Sequence, residues 1–256
     1  FSDGITPGSQ PFTIATGGDG NMWFTEYGTG KIGRITMDGT VTEFDMPYPF
    51  SAPLGIALGP DGNMWFTDFN QAEIGRITPT GTITMFGGMT PASGPSGIAA
   101  GPDGNMWFTQ DFGSGIGKID MAGNITEYSA GLTPGSRPYR IAQSADGRLY
   151  FTEYASPNRL GRVTTSGVIT EISDGLSPLA GPLGITAGPD GNMWFTDYDS
   201  AAIGRLTGTV AQEFTENLAP ASLPTDIVTG SDGNLWFTDY GTSTISRIGS
   251  ATVTLV

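Results

Sequence analysis

Apolar residues along this chain fall in short runs separated by Gly, Pro, Asp and Thr, and nowhere do they recur at the 3.6-residue spacing of a helix. Runs of this length between turn residues predict β-strands. In one stretch, Ile56-Ala57-Leu58 leads into Gly59-Pro60-Asp61-Gly62 and returns as Asn63-Met64-Trp65-Phe66-Thr67-Asp68. Asp-Gly between two such runs is a strong hairpin signal, because Gly takes a positive φ without a steric penalty. A third strand, Ile74-Gly75-Arg76-Ile77-Thr78, follows a polar turn, and Thr80-Gly81 turns the chain into a fourth, Thr82 to Phe86. A connector rich in Pro, Ser and Gly, Met89 to Pro95, leads to the next unit.

The unit repeats. Asp19-Gly20-Asn21-Met22-Trp23-Phe24-Thr25 recurs from Asp61, Asp103, Asp146, Asp190 and Asp232, at intervals of 42, 42, 43, 44 and 42 residues. Four short antiparallel strands per period are the signature of a propeller blade. The chain is therefore expected to be all-β: a six-bladed β-propeller with four antiparallel strands per blade, filling residues 1–256 as one domain. The fourth strand of the last copy is expected at Thr252 to Val256. Phe1 to Pro7 resembles a connector, so the two ends of a closed ring should meet.

Composition narrows the chemistry. The chain has 256 residues, no Cys and no His, and 25 acids against 11 bases give a formal charge of −14. Disulfides, thiolate nucleophiles, zinc–sulfur sites and histidine general bases are excluded. Any metal would be held by oxygen, as Mg²⁺ or Ca²⁺. Nucleic acid and anionic membrane need a basic footprint and are not expected as partners. No apolar run approaches the ~20 residues of a membrane-spanning helix, so the chain reads as soluble. It opens on Phe1-Ser2-Asp3-Gly4 with no initiator Met, as a trimmed or mature form would. Two Lys, no Cys and much Gly and Thr suggest a secreted or extracytoplasmic protein, expected to be a monomer.

Several repeated slots read as scaffold. Trp23, Trp65, Trp107, Trp194 and Trp236, with Tyr150 in the fourth copy, are placed to pack blade against blade. A basic residue fills one third-strand position throughout: Arg34, Arg76, Lys118, Arg162, Arg205 and Arg247. Six equal cations suggest a repeated interblade ion pair or hydrogen bond. The residue after Trp-Phe-Thr should lie at the channel mouth, where propeller loops converge. It is Glu26, Asp68, Gln110, Glu153, Asp197 and Asp239, an acidic ring. Equal distance from the hairpin turn predicts that Phe12, Leu54, Ser96, Tyr139, Leu183 and Thr225 face these residues across the strand pair.

The run Gly-Pro-Asp-Gly-Asn-Met-Trp-Phe-Thr-Asp, with Ile-Gly-Arg-Ile-Thr and Gly-x-Ile-Thr-Glu, resembles the virginiamycin B lyase (streptogramin lyase) family over essentially the whole chain. The resemblance implies elimination chemistry on a streptogramin lactone, with Mg²⁺ near acidic residues and a histidine base at the channel mouth. It implies metal-side positions at Glu26, Asp68, Glu153, Asp197 and Asp239. The family's histidine slot, 14 residues before a rim carboxylate, holds no His in any copy. No catalytic residue is therefore assigned.

The fourth copy departs from the others. Arg137, Arg140, Arg148 and Arg159 all fall in it, Tyr150 replaces Trp, and Ala155-Ser156-Pro157-Asn158 lengthens a loop. Arg137, Tyr139, Arg140, Glu153 and Tyr154 read either as a cluster for an anionic or sugar-like ligand or as loop variation within one blade. Three functions stay open: a binding propeller for a small molecule, glycan or protein; a lyase or lactonase using a carboxylate and Mg²⁺ or Ca²⁺; and a structural repeat domain of a cell-surface protein.

Overall fold

The computed structural model describes residues 3–155 and 158–249. Its strands form six antiparallel sheets in chain order, five of four strands and one of three, with no helix among the described residues. The fold is a six-bladed β-propeller. The chain divides into two compact units, Phe1–Tyr128 and Ser129–Val256, with three blades in each. The first strands of the blades are Pro11–Thr16, Pro53–Leu58, Pro95–Ala100, Pro138–Gln143, Pro182–Ala187 and Pro224–Thr229. The fourth strand expected at Thr252–Val256, and with it the meeting of the chain ends, lies outside the described residues.

The repeated Asp does more than turn the chain. Asp61 Oδ1 accepts the backbone N–H of Asn63 (3.1 Å) and the indole N–H of Trp65 (3.0 Å), and Oδ2 accepts the Asn63 amide (2.8 Å). Burial opposes its ionisation, but these donors and the Arg76 charge outweigh burial and hold its pKa below the ordinary range. Gly62 takes a φ of +78°, as the hairpin requires. Gly59 is needed for another reason: a Cβ there would stand 2.3 Å from Trp65 Cδ1. The fourth blade carries Ser144 at this position and Tyr150 in place of Trp, whose hydroxyl reaches Asp146 at 2.9 Å. The smaller ring makes room for the side chain on Ser144, so the two departures form one compensated change.

Inside each unit the rings of this slot join blades as expected, at Trp23, Trp65, Tyr150 and Trp194. Trp65 is fully buried and packs with Ile98, Met106, Phe108 and Ile119 of the next blade, and Trp194 packs with Ile227, Leu235 and Phe237. Trp23, Trp65, Trp107 and Trp194 are each stacked within their own blade. Trp23 lies 5.5 Å from Phe44 at 15°, with the Arg34 guanidinium 5.5 Å above the indole. Arg76, Lys118, Arg205 and Arg247 repeat the cation–π contact. Arg34 also donates to Pro79 O of the following blade (2.8 Å), and Arg76 to Met121 O (3.4 Å). At Arg34 and Arg76 the basic slot thus serves both an interblade hydrogen bond and an intrablade stack, whereas Arg205 donates to Gln212 of its own blade (3.0 Å).

The expected register fails by one residue. Ile14 pairs with Phe24, but Glu26 pairs with Pro11 rather than Phe12. The same shift sets Pro53, Pro95, Pro138, Pro182 and Pro224 opposite Asp68, Gln110, Glu153, Asp197 and Asp239. Leu54, Ser96, Tyr139, Leu183 and Thr225 therefore do not face those residues. The cause is a β-bulge in every first strand, where an extra residue stands opposite the Thr of Trp-Phe-Thr. That Thr fills the irregularity: Thr67 Oγ1 accepts Gly55 N–H (2.9 Å) and donates to Ser96 O of the next blade (2.9 Å). Thr25, Thr152 and Thr196 make the same pair of bonds, the second ending on Leu54, Leu183 and Thr225.

Two measurements check these packing rules. Thr67→Val should leave the Gly55 N–H and the Ser96 carbonyl buried without partners and lower the stability to urea by about 2–4 kcal/mol. Tyr150→Trp should cost about 1–3 kcal/mol through overpacking against Ser144. Adding Ser144→Gly to Tyr150→Trp should restore most of that loss; a purely additive double variant would show that the two positions are not coupled.

Candidate functional site

The residues after Trp-Phe-Thr are not a solvent-facing acidic ring. Glu26, Asp68, Glu153 and Asp197 have no exposed surface, and Gln110 and Asp239 very little. The three Asp side chains are taken up by the backbone. Asp68 Oδ1 accepts Ala52 N–H (2.9 Å) and Gln71 N–H (3.4 Å); Asp197 Oδ1 accepts Gly181 N–H (2.7 Å) and Ser200 N–H (3.0 Å). Asp239 holds Leu223 N–H (2.8 Å), Thr242 N–H (3.3 Å) and the Ser222 hydroxyl. Each clamps the connector entering its blade to the turn after the second strand. A carboxylate accepting such donors is well placed for this task.

The Glu blades are built differently. Gln10 and Arg137, just ahead of the proline, take left-handed φ values of +48° and +54°. Non-glycine residues visit this region rarely, and such strain persists only where the surroundings enforce it. Glu26 Oε2 accepts the Thr29 hydroxyl (2.8 Å) while Oε1 is buried without a partner. Neither oxygen of Glu153 has a hydrogen-bond partner. Burial first, then the charge on Glu171, push Glu153 up to about 8, with Arg159 opposing. Burial likewise raises Glu26 and Glu213, and raises Glu73 together with the Asp68 charge.

A second acidic layer escaped the sequence reading. Glu43, Glu127, Glu171 and Glu213 stand on the fourth strands and hold the connector of their own blade through Thr6, Thr90, Thr133 and Ser177. Their signal was the Glu of Gly-x-Ile-Thr-Glu, which alternation alone would leave on an exposed face. Lys31 bridges Glu43 (2.9 Å) and Asp45 (3.3 Å), and Arg159 pairs with Glu171. Burial works against the Glu43 charge, yet the Thr6 donors and Lys31 bring its pKa down to about 2.

This layer decides the fit of a divalent ion. Among the described residues no three Asp or Glu side chains gather into a metal-binding set. Glu26 and Asp68 in the first unit, and Glu153, Asp197 and Asp239 in the second, each serve their own blade. One oxygen of each Asp already accepts backbone N–H donors. As these side chains stand, Mg²⁺ or Ca²⁺ does not fit them.

The fourth-copy cluster does assemble in part. The Arg137 guanidinium lies 5.6 Å from the centre of the Tyr154 ring and that of Arg140 lies 5.0 Å from Tyr139. The two rings are 6.2 Å apart at 40°. Arg140 Nη2 stands 3.8 Å from Asp226, an acid the sequence reading did not single out. The Tyr154 ring remains 45% exposed and so within reach of solvent. Glu153 is not part of this surface: it is buried opposite Pro138, toward Arg159 and Glu171. Of the loop 155–158, residues 156 and 157 lie outside the described residues.

Glu153 predicts a pH dependence. Its folded pKa of about 8 lies above the ordinary 4.5, so its stabilising effect is complete below pH ~4.5 and is lost as pH rises through ~8. Between those limits the unfolded chain releases a proton that the native chain keeps. Glu153→Gln should therefore flatten the decline in denaturant stability between about pH 5 and pH 8. An unchanged slope would mean that Glu153 titrates normally.

Comparison with known proteins agrees with this architecture. Residues 3–174 and 158–255 match the model of the Virginiamycin B lyase family. Virginiamycin B lyase from Staphylococcus aureus superposes with a TM-score of 0.88 at 36% identity, over 96% of this chain and 83% of that one. A catalytically inactive His-to-Ala variant of the S. aureus enzyme, crystallised with quinupristin, gives 0.89 at 36% over 96% and 84%. A streptogramin B lyase gives 0.87 at 36% over 95% and 80%. No curated protein matches the chain. The chain belongs to the virginiamycin B lyase family.

Proposed function

We propose that this chain is a ligand-binding propeller built on the virginiamycin B lyase fold, without the histidine-dependent ring opening of streptogramins. The observation that carries the reading is the pair of arginine–tyrosine stacks on the fourth blade, Arg137 on Tyr154 and Arg140 on Tyr139. A guanidinium offers a planar fork of donors to a carboxylate or sulfate, and a tyrosine face accepts the apolar face of a sugar ring. The ligand class that suits both is an anionic saccharide. Against streptogramin turnover stands the composition: a related enzyme is inactivated when one histidine becomes alanine, and this chain has no histidine.

A second reading, a lyase or lactonase with a carboxylate as acid or base, has one observation in its favour. Glu153 keeps a proton near neutral pH, the state a general acid needs. Its complete burial separates it from the arginine–tyrosine surface and favours the first reading.

The two readings part on one set of assays. Calorimetry with galacturonate oligosaccharides should show binding that Arg140→Ala weakens at least about tenfold, as loss of a charged hydrogen bond would. Tyr139→Ala should weaken it as well, and Glu153→Gln should leave it unchanged. Quinupristin incubated with the chain should remain intact. Equal affinity in the Arg140 and Tyr139 variants would overturn the proposed surface, and ring-opened quinupristin would overturn the non-catalytic reading.

A further inference from the structure

Across the fourth, fifth and sixth blades, one position of the first strand brings two opposite charges together. Two residues beyond the opening proline stand Arg140, Gly184 and Asp226. Arg140 Nη2 lies 3.8 Å from Asp226 Oδ2, so the guanidinium reaches past the strand Pro182–Ala187 to the blade beyond. Glycine between them lets the two meet: a Cβ on Gly184 would stand 2.8 Å from both Cα and Oδ1 of Asp226. Thr13, Gly55 and Gly97 fill this position in the first three blades, so the charged pair belongs to the second unit alone.

Each partner is held from its own strand. The Arg140 backbone N–H donates to the Thr152 hydroxyl (3.1 Å), and the guanidinium lies 5.0 Å from the centre of the Tyr139 ring. Asp226 Oδ1 accepts Ile227 N–H (3.0 Å), which leaves Oδ2 on the side of Arg140. At 3.8 Å the two groups attract without sharing a hydrogen bond. A ligand anion on the guanidinium fork therefore lands beside a fixed negative charge. A bare anion meets only repulsion from Asp226. An anion flanked by hydroxyls brings donors to a carboxylate that can only accept. A site that needs such donors rejects a ligand lacking them, because its polar group is then left unpaired.

We propose that Asp226 is a specificity-determining residue of the fourth-blade surface: it restricts Arg140 to carboxylates carried beside hydroxyl groups, as in a uronate, and turns sulfate away. The inference rests on the ligand-binding reading above and narrows its ligand class. A uronate ring carries its carboxylate and a hydroxyl on neighbouring carbons, which suits a guanidinium and a carboxylate standing side by side.

The test is calorimetry at fixed ionic strength, with galacturonate oligosaccharides and with inorganic sulfate as the bare anion. Asp226→Asn keeps the size of the side chain and its Oδ1 acceptor and removes the charge. It should weaken galacturonate binding at least about fivefold and tighten sulfate binding at least about threefold. Asp226→Thr, the residue at this position in the first blade, should reproduce both shifts and serves if the Asn variant is unstable. Affinities that do not change, or that change in the same sense for both ligands, overturn the proposal. Absence of galacturonate binding, or binding that Arg140→Ala leaves intact, overturns the fourth-blade surface and this role with it. Binding lost in Arg140→Ala but indifferent to both Asp226 substitutions overturns only the role given to Asp226.

Discussion

The fold depends on a threonine hydroxyl placed where a strand ladder breaks. Every first strand carries one residue too many for its partner, and the resulting bulge frees a backbone N–H, which is buried in the second, third and fifth blades. The Thr of Trp-Phe-Thr accepts that N–H and, inside each unit, passes its own proton to a carbonyl of the next blade. One side-chain atom thus satisfies the irregularity within a blade and bonds that blade to its neighbour. Valine has the same shape but cannot do either, which is why a residue of the hydrogen-bonding kind recurs at a position that is fully buried in the first five blades.

Around that contact the aromatic packing is equally constrained. The indole of each Trp must reach the turn aspartate, and it can do so only over a residue without a side chain, as at Gly59. The fourth blade shows what happens when the constraint is relaxed from both sides, with Ser144 and Tyr150 preserving the bond to Asp146. Its concentration of arginines follows a related logic. Arg159 neutralises Glu171 in the interior, Arg148 pairs with Asp146 on the turn, and Arg140 meets Asp226. Arg137 and Arg140 also stack on Tyr154 and Tyr139.

The acidic positions show how one sequence column can serve two structural ends. Where the residue is Asp, the short side chain accepts the connector N–H directly. Where it is Glu, an extra methylene carries the carboxyl past that donor, the residue ahead of the proline turns left-handed, and a Lys or Arg on the third strand accompanies it at Lys31 and Arg159. The same burial that makes the Asp carboxylates useful anchors leaves Glu153 without donors and holds its proton on. Negative charge in this molecule is therefore partly internal and partly neutralised, which a net count of −14 conceals.

Sequence periodicity was enough to settle the blade count, the strand order, the hairpin turns and the interblade role of Trp, because each is a local property repeated in every copy. It also located the fourth-blade arginines and tyrosines that come together. Two matters were beyond it. A bulge shifts pairing by one residue without altering the spacing from the turn, so Pro138, not Tyr139, lies opposite Glu153. Burial of the acids depends on the connector folding back over the strand ends, held by Glu43, Glu127, Glu171 and Glu213 from strands some 17 residues further on. Local pattern specifies what each residue can bond to; only the folded blade decides which donor arrives.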